Sequence, residues 1–259
     1  MAKQPVSSLV SSALKEYGLP VLVFVGFFVG WEAVTIALNI PEFILPPPTR
    51  VIYSLEKNLD IIIKHSYATL EATLIGFGMS IVFGLGLGLA VGYSIVVYRA
   101  VYPLLVAFNT IPKVAIVPIL VIWLGVGKVP AILTAFLISF FPIVVNVAIA
   151  LATIEPEIRD VLRSLGASKS QIFVKMGIPR SLPYFFGSLK VASTLAFVGA
   201  VISETVASNE GTGYLMIAAS SRFDVPLVFA GLLVISFLGI SLFLVFALLE
   251  KSLVGWAYR

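Results

Sequence analysis

Few side chains here could do covalent or metal chemistry. The chain has no cysteine and one histidine, His65. Thiol nucleophiles, disulfides, thiolate metal sites and multi-histidine metal centres are excluded. Glu32, Glu71 and Glu204 are scattered through apolar stretches and form no catalytic constellation. No Gly-x-x-x-x-Gly-Lys-Ser/Thr loop occurs. The nearest string, Gly125-Val126-Gly127-Lys128, lacks the spacing. The chain is expected to be no enzyme, to bind no cofactor and to leave ATP to another protein.

Two polar stretches stand out. The first is Asn109-Thr110-Ile111-Pro112-Lys113, between Pro103 and Pro118. Irregular backbone at membrane depth is tolerated only when buried in protein or lining a cavity. A cation there must be paired or hydrated. Asn109, Thr110 and Lys113 are therefore candidate substrate-pathway residues, with Asn146 and Glu204. Lys113 could draw in an anion, or it could be an interfacial side chain whose stem snorkels. Asn146 lines the pathway or bonds a neighbouring helix.

The second stretch runs from Thr153 to Pro179, with Glu155, Glu157, Arg159, Asp160, Arg163, Lys169 and Lys175 in an otherwise charge-poor chain. Pro156 suits a first helical turn, and Gly166 follows Leu165 where a left-handed cap belongs. Ser168 with Gln171 has capping-box spacing, and Pro179 is expected to end this second helix. Two capped helices form a shaped surface for a partner.

The elements around these stretches are membrane spans. Hydrophobic residues make up 59% of the 259 and charged residues 12%, about half the usual globular share. Mean hydropathy is +1.08. Long apolar runs of this kind cross membranes as helices. The net charge of +4 and pI near 9.3 reflect loop Lys and Arg, not nucleic-acid binding. No cleavable signal is expected.

Spans are expected at 18–40, 68–94, 101–124 (broken by proline), 129–152, 182–203 and 225–249. Glu32 within the first either has a structural partner or marks a misplaced boundary. Residues 51–64 read as an amphipathic helix on the outer surface. Gly84, Gly88 and Gly92 share a helix face suited to close packing. Tyr98-Arg99 reads as a cytoplasmic turn, Lys190 as a snorkelling residue and 207–224 as an outer loop with Gly211 and Gly213 as turn formers. With both termini inside, ten Lys and Arg fall in the cytoplasm, Lys3 and Arg259 included, against five outside. Residues 1–17 form a cytoplasmic segment, and 18–259 a single transmembrane domain with its core at about 68–251 and its loop at 153–180.

The loop resembles that of ATP-binding-cassette (ABC) importer permeases, patterned Glu-Ala-Ala, three residues, Gly, nine residues, Ile, one residue, Leu-Pro. Asp160-Val161-Leu162, Gly166, Met176 and Ile178-Pro179 fall on those positions, with Asp for Glu, Val-Leu for Ala-Ala, Met for Ile and Ile for Leu. Leu165-Gly166-Ala167-Ser168 and Gln171-Ile172-Phe173 look like the nitrate, sulfonate and taurine branch, as does Ile111-Pro112-Lys113 followed by Pro118 and Trp123-Leu124-Gly125-Val126-Gly127. The resemblance implies an all-α, six-span, type I importer (MetI-like) permease in a bacterial inner membrane. It implies a homodimer, an ABC ATPase dimer carrying ATP and Mg, and an extracytoplasmic solute-binding protein. Asp160, Arg163, Leu165, Gly166, Ala167, Ser168, Gln171, Ile172 and Pro179 are the expected ATPase-coupling residues. A small anion or organic acid is the expected substrate. A self-contained secondary transporter or channel is the alternative. It would show internal repeats or membrane-embedded acid clusters, and neither is found.

Overall fold

The structure, a computed structural model, describes residues 6–152 and 155–258. The readings of Lys3, Thr153 and Arg259 fall outside the described residues. All regular structure described is helical. Among the described residues, five helices are long and apolar enough to cross a membrane: Gly18–Ala37, Leu59–Gly92, Lys128–Ala152, Lys169–Ala207 and Val225–Ala257. A sixth crossing exists if Ile95–Thr110 and Lys113–Leu124, bent by 80°, count as one.

The chain divides into two compact units. One runs to Leu59 and includes Ala219–Ala230; the other begins at Asp60 and resumes at Gly231. In the first unit, α1 (Val6–Ala37) starts well before the expected span boundary. α2 (Pro48–Lys57) opens with proline at its first turn, and its N-cap, Pro47, offers no side-chain acceptor. Glu32 of α1 fills that gap. Its carboxylate accepts from the Thr49 backbone N–H at 3.0 Å and from Thr49 Oγ1 at 2.7 Å. A negative charge here also faces the positive end of the helix dipole. The acid in the first span thus caps α2.

The helix expected over 51–64 is two pieces. α2 stops at Asn58, whose side chain donates to the Ser54 carbonyl at 2.9 Å, and residues 59–64 belong to α3 (Leu59–Gly92). The expected turn at Tyr98-Arg99 falls instead at Tyr93-Ser94, and both residues lie in α4 (Ile95–Thr110).

In the second unit α3 lies on α6 (Lys128–Ala152) along a stripe at every fourth residue: Gly76, Ser80, Gly84, Gly88, Gly92. A Cβ added at Gly84, Gly88 or Gly92 would lie 2.9, 2.8 or 2.6 Å from the Cβ of Ile143, Val147 or Leu151. Ser80 supplies the polar member, with Oγ 2.7 Å from Ser139 Oγ and 3.0 Å from the Phe136 carbonyl. Between helices in lipid, close packing and hydrogen bonds replace the hydrophobic drive. α9 (Ile178–Ala207) approaches α6 as closely: a Cβ on Gly199 would sit 2.8 Å from Ala135 Cα.

Of the three prolines in the broken span, only Pro112 breaks it. Pro103 lies within α4 and Pro118 within α5 (Lys113–Leu124). Ile111 and Pro112 are extended, so the chain turns there. Pro179, expected to end a helix, does not. α8 (Lys169–Ile172) runs through a π-helical turn, Phe173–Gly177, straight into α9. Pro179 has no N–H to donate, and the wider turn absorbs this, with the Ile178 N–H bonding the Phe173 carbonyl. The expected outer loop holds α10 (Thr212–Ser220), which contains Gly213, while Gly211 before it has φ +101°. Lys190, read as a snorkelling side chain, is paired: its Nζ lies 2.5 Å from Glu250 in α11 (Val225–Val254).

Gly88 and Gly86 make a paired test. Gly86 has nothing within 4 Å of an added Cβ. Gly88→Ala is expected to destabilise by about 1–3 kcal/mol through overpacking, and Gly86→Ala not at all. Thermal unfolding in detergent reads both; equal melting temperatures would refute the packing assignment.

Candidate functional site

The loop after α6 is built from local capping chemistry. α7 (Pro156–Ser164) has proline in its first turn. Gly166 stands at φ +84°, a conformation costly for any residue with a Cβ. Its N–H bonds the Arg163 carbonyl at 2.9 Å, and the Ala167 N–H bonds the Leu162 carbonyl at 2.9 Å. This is a Schellman cap. The Ser168 hydroxyl then accepts from the Gln171 N–H at 3.2 Å, while Gln171 Oε1 accepts from the Ser168 N–H at 2.8 Å. The expected capping box is present.

Two contacts root the loop. Arg180 Nη2 lies 3.3 Å from Glu155 Oε1, joining its two ends. Lys169 Nζ lies 4.2 Å from the centroid of Tyr93. Ile172 is buried. Asp160 faces Arg163 at 3.9 Å, a solvated pair of little energetic weight. Among the loop's described residues, four apolar side chains are exposed: Leu165 at 77%, Val161 at 58%, Val174 at 54% and Ile158 at 38%.

The pathway candidates do not converge on one place. Lys113 Nζ donates to the Asn109 carbonyl at 2.5 Å and to Asn109 Oδ1 at 2.6 Å. The ammonium thus caps the C-terminal end of α4, where the dipole favours a cation. Asn109 and Lys113 line a cavity of about 360 Å³ with Phe108, Phe140 and Phe141. Asn146 donates to the Pro142 carbonyl at 2.8 Å within its own helix. It lines a different, open cavity of about 840 Å³ with Lys175, Arg180, Tyr184 and Trp256. Thr110 Oγ1 donates to the Ala107 carbonyl at 2.7 Å.

Glu204 sits elsewhere, in α9 at 3% exposure. Its Oε2 accepts from Thr69 Oγ1 and from the Gly213 N–H, each at 2.9 Å. Thr69 Oγ1 accepts from the Thr212 N–H at 2.7 Å, and His65 Nδ1 from the Gly211 N–H at 3.1 Å. These bonds tie α3, α9 and the start of α10 together. Beside them Lys128 bridges Glu71 at 2.6 Å and Glu210 at 3.8 Å. Sequence reading picked out Glu204 but not this network. Thr69 and Thr212 lie in polar stretches and carry no local signal of the pairing.

Residues 80–255 match the family described as binding-protein-dependent transport system inner membrane component. The chain belongs to that family and is a multi-pass permease subunit of an ABC-type importer. The formylaminopyrimidine transport permease protein ThiX of Halalkalibacterium halodurans is 36% identical over 92% of this chain and 95% of its own length. The taurine transport system permease protein TauC of Escherichia coli K12 is 28% identical, over 88% and 85%. Among solved structures, the inward-facing MetNI methionine ABC transporter matches with a TM-score of 0.57 and 21% identity, over 74% of this chain and 98% of that one. The fold is that of a MetI-type permease.

Thr69→Val would remove the acceptor of the Thr212 N–H and a donor to Glu204 inside a buried cluster. A loss of about 1–3 kcal/mol is expected, seen as a lower melting temperature, with Thr69→Ser close to the unaltered chain. An unchanged Thr69→Val would show that the network contributes no stability.

Proposed function

We propose that this chain forms the translocation pathway of an ATP-driven importer and is driven through the α7–Gly166–α8 loop by a separate ATPase. One observation carries the reading. The loop is rigidly capped at Gly166 and Ser168, yet it exposes Leu165 and Val161. Apolar side chains held in solvent on an ordered segment mark an interaction surface. Leu165, Gly166, Ala167, Ser168, Gln171 and Ile172 form or shape the docking element, with Asp160 and Arg163 as its charged flank and Pro179 at the root of α9.

In this reading two copies of the chain enclose one path. Their loops seat in grooves of an ATPase dimer, which holds ATP and Mg. Closure of the dimer displaces the seated loops and rocks the spans between outward-open and inward-open states. The seat must bind one ATPase state better than the other, or no motion is transmitted. Both termini and the loop lie in the cytoplasm, and a solute-binding protein delivers cargo from the other side. The permease core spans about 68–251.

The solute is a small anion or organic acid, of the nitrate, sulfonate or taurine kind. Cations line both candidate cavities: Lys113 in one, Lys175 and Arg180 in the other. The relative that carries formylaminopyrimidine favours a neutral heterocycle instead. Uptake of competing solutes by the assembled importer separates the two.

Leu165→Glu tests the docking surface without touching the backbone. Burying one leucine contributes roughly 1.5–3 kcal/mol, so ATPase association is expected to fall about tenfold to a hundredfold. Membrane insertion and melting temperature stay as they were. Undiminished co-purification of the ATPase with the variant would sink the assignment.

A further inference from the structure

A third concavity lies between the loop and the spans. It has a volume of about 240 Å³ and is lined by Tyr93, Ser94, Ile95, Arg159, Arg163 and Lys169, among others. Three of these are cations. Among the described residues, the one carboxylate paired with any of them is Asp160, 3.9 Å from Arg163. Arg159 Nε is buried and has no hydrogen-bond partner among the described residues. The 16-residue helix α4 also begins here, at Ser94 and Ile95, with no side-chain cap on its first N–H groups. An unsatisfied guanidinium N–H, two further cations and an uncapped helix start all favour one kind of guest: an anion with several acceptor oxygens.

Depth narrows the source. α3 ends at Gly92, α6 at Ala152, and the span Lys169–Ala207 begins at Lys169. Gly92, Ala152 and Lys169 all line the concavity. It therefore opens where two apolar spans, α3 and α6, end, the level at which lipid head groups lie. Tyr93 stands there with Phe173 edge-on at 5.0 Å, the aromatic placement common at bilayer interfaces. We propose that this pocket holds the phosphate of an anionic phospholipid, clamped by Arg159, Arg163 and Lys169. Basic pockets between spans on the cytoplasmic side take lipid head groups by this chemistry. A lipid held here touches α7 and α8 directly, so bilayer composition would bear on the order of the loop. The inference rests on the chain's being a membrane permease and not on ATPase docking.

The test uses the full-length chain in detergent, titrated with phosphatidylglycerol, with phosphatidylcholine of the same acyl chains, and with inorganic phosphate, bound lipid being counted by native mass spectrometry. The unaltered chain is expected to retain phosphatidylglycerol over phosphatidylcholine, undisturbed by millimolar phosphate. The double variant Arg159→Gln/Lys169→Gln is expected to bind phosphatidylglycerol roughly thirtyfold more weakly. The control double variant Arg50→Gln/Lys57→Gln is expected to bind as the unaltered chain does. Equal binding of the two lipids by the unaltered chain overturns the proposal without recourse to any variant. So does equal phosphatidylglycerol binding by the Arg159/Lys169 variant. Displacement of the lipid by inorganic phosphate overturns the lipid as the source and assigns the pocket to a soluble anion.

Discussion

The contact on which the second unit depends is the backbone-close approach of helices to α6. On one side Gly76, Gly84, Gly88 and Gly92 leave no room for a Cβ against Ala135, Ile143, Val147 and Leu151; on the other Gly199 does the same against Ala135. Lipid offers helices no hydrophobic reason to associate, so dispersion at short range and a few hydrogen bonds must hold them. Ser80, facing Ser139 at 2.7 Å, is the hydrogen bond placed inside the stripe. This constraint reaches the loop. The loop leaves α6 near Ala152 and re-enters the bundle through the continuous helix from Lys169 to Ala207. Because α6 and α9 touch along their small residues, both roots of the loop belong to one packed pair. A force on the loop is thereby delivered to two spans at once.

The few polar groups at membrane depth follow a common logic. Each of the charged ones has a designated partner, whereas Thr73 and Ser203 bury hydroxyls with none among the described residues. Glu32 caps α2, Lys113 caps α4, Lys128 holds Glu71, and Lys190 holds Glu250. Glu204 is the most buried of the acids among the described residues and gathers Thr69 and the Gly213 N–H. In a chain this apolar, an unpaired ion is costly, and a paired one can specify which helix end meets which. Volume is left beside the polar residues around the two cavities and in the pocket under the loop.

Legibility in the sequence followed the range of each interaction. The Gly166 cap and the Ser168–Gln171 box are made within a few residues, and the stripe at Gly84, Gly88 and Gly92 repeats at a helix period. All were readable. The Glu204 network joins residues 135 apart, and no local pattern encodes it. Pro179 misled because its usual effect is to end a helix, whereas here a π turn absorbs the missing donor. Asn58 was passed over because residues 51–64 keep an apolar rhythm across the break. Lys113 reads in sequence as a solute-facing or a snorkelling cation, and its cap on Asn109 depends on the 80° bend between α4 and α5.

The account is tested most directly by isolating the chain with its companions. A tagged copy would be purified from its source membranes in gentle detergent and returned to vesicles, and solute entry would be followed with and without ATP. The account predicts a co-purifying ABC ATPase, and uptake that requires both ATP and a separate solute-binding protein. Solute uptake by the chain alone, driven by an ion gradient and indifferent to ATP, would contradict it.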